Sequence, residues 1–256
     1  MQTSEEKPSR FFAPKRDDDQ SSNRLRLLIG ITGFAFPILL WLLNGWRLEA
    51  GQQRWATLSS VSAYYYTGAV SLFSGMLVAL GFFLFTYKGF NNKSQRKDRI
   101  AAKIACVAAL GVAFFPTGVP EGFKAFSWWT PPLGVVHFVS AAILFASFIF
   151  FCLFLFRQSN TKKGKPLSPD KKLRNGIYIF CGIAMLGCIV WIIIAEVRGS
   201  PIFWPEAIAL ELFAVSWLVK GRADVTIAAV GKETGHLIKQ PFTRSTKQTT
   251  AQKPAA

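Results

Sequence analysis

The sequence predicts an all-α polytopic membrane protein, a bundle of six transmembrane helices with the N- and C-termini inside. Hydrophobic residues make up 51% of the 256 residues, and they form long apolar stretches that occur in pairs. All but four of the 30 Lys and Arg residues lie in clusters before, between and after these pairs; the exceptions are Arg47, Arg54, Lys124 and Arg198. Because Lys and Arg are in excess on the inner side of a membrane, each pair is expected to be a hairpin that returns to that side.

The basic clusters also define the predicted domains. Residues 1–24 are expected to be a disordered polar inner tail, residues 25–220 the six-span domain, and residues 221–256 a basic, disordered inner tail. A net charge of +16 would indicate nucleic-acid binding in a soluble protein, but here the charge is excluded from the apolar stretches. We therefore expect no nucleic-acid partner. The expected partner is the lipid bilayer of a bacterial cytoplasmic membrane. The inner basic loops are expected to contact its anionic headgroups.

The first three spans are bounded by aromatic and proline residues. The first is expected at about residues 25–43, with Pro37 bending it, and the second at about 64–87, opened by three tyrosines. Aromatic side chains favour the headgroup level of a bilayer, which places both ends of the second span at an interface. The third is expected at about 100–115 and ends at Pro116, which cannot donate a backbone hydrogen bond.

The last three spans follow the same logic. Trp128-Trp129 leads into a fourth span at about residues 133–156, and a fifth is expected at about 177–195. Pro201 and Pro205 bound a tight outer turn, and the sixth span, at about 204–219, ends at Lys220.

Small residues recur every four positions in two of the spans, which predicts where helices pack closely. Close approach of helix backbones requires such small side chains. The two predicted faces are Thr67, Ser71, Gly75 and Ala79 on the second span, and Ala101, Ala105, Ala109 and Ala113 on the third.

Several kinds of chemistry are not indicated by the residue types. The four cysteines lie in apolar stretches without Cys-x-x-Cys spacing, so neither a disulfide framework nor a zinc site is expected. His137 is the one histidine predicted to lie within a span, so the paired axial ligands of a transmembrane haem are missing. We expect no metal and no cofactor.

Polar side chains within the predicted spans gather towards the outer side, which makes them candidates for a functional site. His137 lies about one helical turn below the outer end of the fourth span, and Glu206 opens the sixth. Glu211 is expected about 7.5 Å deeper at 1.5 Å per residue. The sequence therefore predicts a shallow outer pocket with His137 near Glu211, and with Tyr65 and Glu206 as further ligand-binding residues. The alternative is that His137 and Glu211 only bond to each other and fix helix register.

Three functions are compatible with these residues. The first is the binding or sensing of a lipid or small ligand in the outer pocket. The second is hydrolysis of a lipid-like substrate, with Ser62 as nucleophile, His137 as base and Glu211 as orienter, which requires the three groups to converge within hydrogen-bond reach. The third is proton- or ion-coupled transport, which requires a water path past Glu211 to the inner side. Whether the protein is an enzyme stays open at this point.

Three short motifs resemble the DRAM/Frag/Sfk group of six-span membrane proteins, and bacterial six-span families of similar topology. The motifs are Ser60-Val61-Ser62-Ala63-Tyr64-Tyr65-Tyr66, Gly134-Val135-Val136-His137, and a glutamate at the outer part of the sixth span. The group includes autophagy modulators of lysosomal membranes and a Golgi protein implicated in lipid remodelling of GPI anchors. Over roughly residues 25–220, the resemblance implies roles for Ser62, for His137, and for Glu206 or Glu211. The chain lacks the proline before the serine and the acidic residue and glycine after it that are typical of the group.

Overall fold

The computed structural model of the protein describes residues 17–46, 55–89, 95–158 and 168–222. Within these ranges the chain forms helices and turns and no β-strand, as the sequence predicts. The α-helices of the described residues are α1 (Asp17–Trp46), α2 (Val70–Thr86), α3 (Gln95–Phe114), α4 (Pro131–Phe150), α5 (Pro169–Val197) and α6 (Phe203–Lys220). A 3-10 helix, Ser62–Tyr66, precedes α2, and a π-helical segment, Phe151–Leu155, continues α4. The predicted C-terminal tail beyond residue 222 lies outside the described residues.

Three helices in the described part of the chain are long and apolar enough to cross a membrane. They are Ser22–Asn44 within α1, Pro131–Leu155, which joins α4 to the π-helical segment, and α5, with mean hydropathies of 2.0, 2.6 and 2.7. α2 is apolar but shorter. Many large apolar side chains point away from the protein, among them Phe82, Phe180 and Val197, which are 60%, 66% and 85% exposed. Apolar surface of this extent suits contact with lipid, so the structure is consistent with a membrane protein.

The helices pack in the order of the chain. α1 contacts α2 and α6, α3 lies between α2 and α4, and α5 packs against α6 and less extensively against α4. Sequential helices joined by short connections are antiparallel neighbours in helix bundles. α6 is therefore covered on two sides, by the first and the fifth helix, and this position determines where its polar side chains can point.

The alternating direction of the helices gives the bundle two distinct ends. At one, which we name the cleft end, the 3-10 helix reaches the segment after α3, since Oη of Tyr66 donates to the carbonyl of Thr117 at 2.7 Å. The segment after α5 also contacts the segment before α2 there. At the other, named the basic end, Nζ of Lys171 at the start of α5 donates to the carbonyl of Phe156 at 3.0 Å. α2, α4 and α6 thus begin at the cleft end.

An aromatic layer fills the bundle between its middle and the basic end. Phe148 of α4 stacks on Phe213 of α6 with ring centroids 3.6 Å apart. Below this pair, the ring of Trp217 lies 5.0 Å from Tyr87 and 5.0 Å from Phe156. All five side chains are at most 4% exposed. Edge-on aromatic pairs such as those of Trp217 add to the free energy of apolar burial, and the five buried rings form one part of the core.

The three tyrosines predicted to open the second span lie outside α2. The 3-10 helix that contains them ends at Thr67, whose backbone is extended (φ −113°, ψ 174°). The Thr67 hydroxyl donates to the carbonyl of Tyr64 at 2.8 Å and accepts from the N–H of Ala69 at 3.1 Å. Thr side chains compete with the backbone for hydrogen bonds in this way, which ends one helix and allows the next to begin.

Three helices begin earlier than predicted: α1, α5 and also α3, which begins at Gln95 rather than near residue 100. α1 begins at Asp17, so residues 17–24 are helical where a disordered tail was expected. α5 begins at Pro169 rather than near residue 177, because Ser168 caps it by accepting from the N–H of Lys171. The first turns of α1 and α5 contain charged residues, so a hydropathy pattern does not show where these helices begin.

One of the two predicted small-residue faces packs inside the bundle. Ala101, Ala105, Ala109 and Ala113 of α3 are at most 7% exposed, as expected for a close contact. The prediction for the second span was wrong: on α2, Ser71 and Gly75 are exposed, and a side chain added at Gly75 would meet nothing within 4 Å. α2 instead buries its large residues, Phe73, Leu77, Leu80 and Leu84. Their larger apolar surfaces fill the interior, against the alanines of α3.

Candidate functional site

A serine and a histidine meet at the cleft end. Nε2 of His137 lies 3.0 Å from Oγ of Ser62, and its Nδ1 lies 2.6 Å from the carbonyl oxygen of Phe115. A carbonyl can only accept a hydrogen bond, so Nδ1 carries the proton of the neutral ring. Nε2 is then the acceptor for the hydroxyl of Ser62. The histidine is only 1% exposed, so its two partners fix the orientation of the ring.

The free carbonyl of Phe115 is a consequence of the proline that follows. α3 ends at Phe114, and Pro116 has no N–H with which to continue the helix. The last carbonyls of a helix have no partner within it and must find donors elsewhere. His137 on α4 provides one of these donors, so the local break in α3 is what orients the imidazole.

The neighbouring carbonyls at the end of α3 accept from aromatic side chains. Oη of Tyr65 donates to the carbonyl of Phe114 at 3.3 Å. The carbonyl of Thr117 accepts from Oη of Tyr66 at 2.7 Å and from Nε1 of Trp129 at 3.1 Å. Burial raises the pKa of Tyr66 to about 12, so its hydroxyl remains a donor at physiological pH. Tyr65, expected as a ligand-binding residue, therefore binds the backbone of α3 instead of lining the cleft described below.

The segment that carries the serine, residues 59–66, is named the serine turn, and α6 holds it in place. The N–H of Val61 donates to Oε2 of Glu206 at 2.7 Å. In the opposite direction, the N–H groups of Ile202 and Phe203 donate to the carbonyl of Ser59 at 2.6 and 3.0 Å. A carboxylate that accepts from a backbone N–H forms one of the stronger hydrogen bonds in proteins. Glu206 thereby joins the first turn of α6 to the nucleophile candidate.

These groups line a cleft of about 240 Å³, named the serine cleft. Its polar walls contain hydroxyls and two carboxyl groups, and its apolar walls come from α4 and from the segments beside it. The lining residues are Ser59, Ser60, Ser62, Thr117, Gly118, Val119, Pro120, His137, Phe138, Ala141, Glu196, Ser200, Ile202 and Glu206. The cleft thus combines the predicted Ser62 and His137 with Glu206.

Glu211 does not join this cleft, and the expected pairing of His137 with Glu211 is not formed. Both ring nitrogens of the histidine have other partners, and Oε2 of Glu211 has no hydrogen-bond partner among the described residues. Glu211 lines a separate groove of about 380 Å³ between α1 and α6. Five residues along an α-helix correspond to a rotation of about 140°. Glu206 and Glu211 therefore point to different sides of α6.

Two functional features of the cleft could not be predicted from the sequence. The place given to Glu211 as orienter of the imidazole is occupied by the carbonyl of Phe115, and a backbone atom has no residue-type signature. The available signal was Pro116, which leaves the preceding carbonyls without helical donors. The link from Glu206 to Val61 joins residues far apart in the chain, and no local pattern indicates it.

The chemistry available in the cleft is that of a serine hydroxyl activated by a neutral imidazole. Such a pair, with the second ring nitrogen fixed by an acceptor, is the arrangement in which serine acts as a nucleophile. Gly118 and Val119, in the segment that follows α3, line the same cleft. In the part of the chain that the structure describes, no three His, Cys, Asp or Glu residues are grouped so that they could hold a metal ion.

The motifs that resemble the DRAM/Frag/Sfk group contribute both members of the hydrogen-bonded pair, Ser62 and His137. Membership of that group stays a prediction from these motifs. Comparison of the chain with protein-family models, with curated proteins and with solved structures found no match.

Proposed function

We propose that the protein is a membrane-embedded hydrolase that binds a lipid-like ester in the serine cleft and cleaves it. The observation that carries this proposal is the contact of 3.0 Å between Oγ of Ser62 and Nε2 of His137 in a cleft large enough for a substrate group. A distance of about 2.6–3.2 Å is the reach required between a nucleophile and its general base. Ligand binding, the simplest role of such a pocket, is the first step of this function.

The reaction needs only the groups described above. Oγ of Ser62 attacks the acyl carbonyl carbon while Nε2 of His137 takes the serine proton, and the imidazolium then gives that proton to the departing alcohol as the C–O bond breaks. A water molecule, deprotonated by the same nitrogen, attacks the acyl-serine; as the bond from the acyl carbon to Oγ breaks, the imidazolium returns the proton to Oγ of Ser62 and the carboxylic acid is released. Throughout, the carbonyl of Phe115 holds the proton on Nδ1, so the ring presents Nε2 to the serine.

A lipid-like substrate is favoured by the surroundings of the cleft. Phe138 lines it and is 51% exposed on α4, one of the apolar helices long enough to cross a membrane. Ala141, one turn further along the helix, continues the same apolar wall. The cleft therefore opens beside a surface that suits acyl chains, while its hydroxyls and carboxyl groups suit a polar headgroup.

We also propose that all six helices cross the bilayer, with the cleft end outside and both termini inside. The distribution of positive charge supports this orientation, because Lys and Arg cluster at the basic end. A topology test can use the chain directly, since its four cysteines are buried and free and give little background. Lys124→Cys should react with an impermeant maleimide added outside intact cells, and Lys165→Cys only after lysis. The reverse pattern would refute the orientation.

Transport is not proposed for this protein. A carrier needs a water-accessible path from Glu211 to the inner side. The aromatic layer, including Phe213 and Trp217 with 0% exposure, fills the bundle between this residue and the basic end. Filling of this kind counts against a hydrated path.

We propose anionic lipid headgroups as partners of the basic end. Nζ of Lys171 and Nζ of Lys220 both donate to the carbonyl of Phe156, at 3.0 and 3.4 Å. The guanidinium carbon of Arg26 lies 5.8 Å from the centre of the Tyr87 ring on the same end. Asp98, which is 2% exposed, lies close enough to Lys220 to interact with its charge, so part of this positive charge is balanced within the protein. Basic residues at a membrane interface attract anionic lipid, at about 1 kcal/mol for each residue near the surface.

Activity and active-site labelling test the hydrolase proposal. We expect purified protein in detergent to react with a fluorophosphonate and to release the chromophore from 4-nitrophenyl esters of medium-chain fatty acids. Ser62→Ala should abolish both signals, and His137→Gln should lower kcat by about 10²- to 10⁴-fold, the usual contribution of a general base. The matched control is Ser147→Ala, because the hydroxyl of Ser147 is bonded to the carbonyl of Ile143 within α4. Labelling or ester hydrolysis that persists in Ser62→Ala would refute the assignment.

A further inference from the structure

The groove that contains Glu211 is a second concave site at the cleft end. It lies between α1 and α6, has a volume of about 380 Å³ and is named the tryptophan groove. Its lining residues are Pro37, Ile38, Trp41, Trp55, Thr57, Phe203, Trp204, Ala207, Ile208 and Glu211. Apart from one hydroxyl and one carboxyl group, every side chain in this set is apolar or aromatic.

The carboxyl group is the feature of the groove that needs a partner. Among the described residues of the lining, Glu211 is the one ionisable residue, and its buried Oε2 has no hydrogen-bond partner in that part of the chain. A carboxylate among apolar side chains costs free energy unless a cation or a donor meets it. Ionisable residues within apolar helices for that reason commonly mark binding sites.

Tryptophan rings supply the second feature that attracts a cation. The rings of Trp41 and Trp55 lie 5.3 Å apart at an angle of 53°, and Trp204 contributes a third ring from α6. Nε1 of Trp41 donates to the carbonyl of Trp55 at 2.8 Å, which holds the pair together. Trp55 has φ of 67°, a left-handed conformation that costs about 1–3 kcal/mol and persists only when its surroundings enforce it. The faces of aromatic rings attract cations.

The spacing along α6 gives the groove its depth. Trp204 and Glu211 are seven residues apart, so they lie on the same face of the helix, separated by about 10.5 Å along its axis. Ala207 and Ile208 lie between them on that face. A ligand in the groove would thus contact tryptophan at one end, small aliphatic groups in the middle and a carboxylate at the other end.

We propose that the tryptophan groove binds a lipophilic organic cation, an ammonium or phosphonium centre with apolar substituents. The charge complements Glu211, and the substituents match the aromatic and aliphatic walls. A neutral acyl chain would leave the carboxylate without a partner, and an inorganic cation would find one carboxylate among apolar groups. Interfacial anchoring by tryptophan explains the rings alone, whereas a lipophilic cation explains both features, because its charge can meet Glu211 while its apolar substituents contact the rings. The inference does not depend on the chemistry of Ser62.

Equilibrium binding of radiolabelled tetraphenylphosphonium to the purified full-length protein in detergent tests this inference. We expect saturable binding at one site, with the Kd raised about tenfold or more in Glu211→Gln, which removes an ion pair shielded from water. Trp204→Leu keeps apolar volume but loses the ring, and should raise the Kd about threefold. The matched control, Glu121→Gln, changes an exposed carboxylate in the loop between α3 and α4 and should bind like the parent protein. Neutral triphenylphosphine oxide should compete poorly.

Several results would overturn the inference. They are an unchanged Kd in Glu211→Gln, equal competition by the neutral analogue, or a parent protein that does not bind the cation. If Glu211→Gln does not fold, which its circular dichroism would show, Trp204→Leu and the neutral competitor decide the matter. Ser62→Ala should bind the cation normally, so that loss of hydrolase activity and loss of cation binding are separate outcomes.

Discussion

Removal of the Glu206 carboxyl group should destabilise the protein by detaching the serine turn from α6. Oε2 of Glu206 accepts from the N–H of Val61 at 2.7 Å, and the backbone bond from Ile202 to Ser59 is the neighbouring link. A hydrogen bond to a charged acceptor contributes about 1.5–3 kcal/mol, whereas a neutral one contributes about 0.5–1.5 kcal/mol. Glu206→Ala should therefore lower the free energy of unfolding by about 2 kcal/mol, and Glu206→Gln, which retains an acceptor oxygen, by about 1 kcal/mol.

The same substitution should lower turnover, because Glu206 acts on the reaction through the position of Ser62. A shift of about 1 Å in a reacting group can reduce a rate about 10²-fold. We expect Glu206→Ala to lower kcat by about 10- to 100-fold with little change in KM, and Glu206→Gln to restore much of the rate. A raised KM with an unchanged kcat would show instead that the carboxylate contacts the substrate.

Thermal unfolding in detergent, followed by circular dichroism, measures the stability part of this prediction. For a chain of this size, about 1 kcal/mol corresponds to a shift in Tm of about 2–4 °C, so Glu206→Ala should unfold about 4–8 °C below the parent protein. The control is Glu121→Ala, an exposed position in a loop, where the change should stay within about 0.5 kcal/mol. If the two alanine variants unfold at the same temperature, the link between α6 and the serine turn contributes nothing and the reasoning is refuted.

Two further predictions concern packing and lipid. Gly30→Ala should destabilise the protein by about 1–3 kcal/mol, because the added Cβ would lie 2.9 Å from the backbone nitrogen of Leu218. Gly75→Ala, whose added Cβ meets nothing within 4 Å, should instead stabilise α2 by about 0.5–1 kcal/mol. Thermal unfolding compares the two variants, and equal shifts in Tm would contradict the close contact of α1 with α6. Replacement of Lys171 and Lys220 by Gln should weaken retention of phosphatidylglycerol in native mass spectra by about fivefold per residue, without affecting phosphatidylcholine; unchanged retention of the anionic lipid would exclude this site.

The positions of the helices could be predicted from the sequence because apolar stretches and charge clusters are local properties. Each predicted span overlaps a helix of the structure; the sixth agrees with α6 to within one residue at each end, and the third differs from α3 mainly at its first residues. The early start of α5 was missed because its first turn is charged, although Ser168 and Pro169 are typical of a helix beginning. The separation of Tyr64–Tyr66 from α2 depends on the hydrogen bonds of Thr67, which hydropathy does not reflect.

The candidate site could be predicted in part. Ser62 and His137 were selected as polar groups at similar depth, and the structure places them in hydrogen-bond contact. Glu211 was selected by the same criterion, but depth does not indicate which way a side chain points around its helix. That direction depends on how α6 rotates against its neighbours, which is a property of the packed bundle rather than of the sixth span alone. The carbonyl of Phe115 became an acceptor only through the break at Pro116.

α6 is the helix that links the two sites, and its position explains why its polarity is tolerated. Among the described residues, α6 is not one of the helices that are long and apolar enough to cross a membrane by themselves. Its residue Glu206 lines the serine cleft, and its residue Glu211 lines the tryptophan groove. Because α1 and α5 cover it on two sides, lipid need not solvate either carboxyl group, and polar residues there do not incur the full cost of exposure to hydrocarbon. A helix that hydropathy alone does not identify as a membrane span therefore carries acidic residues of both proposed sites.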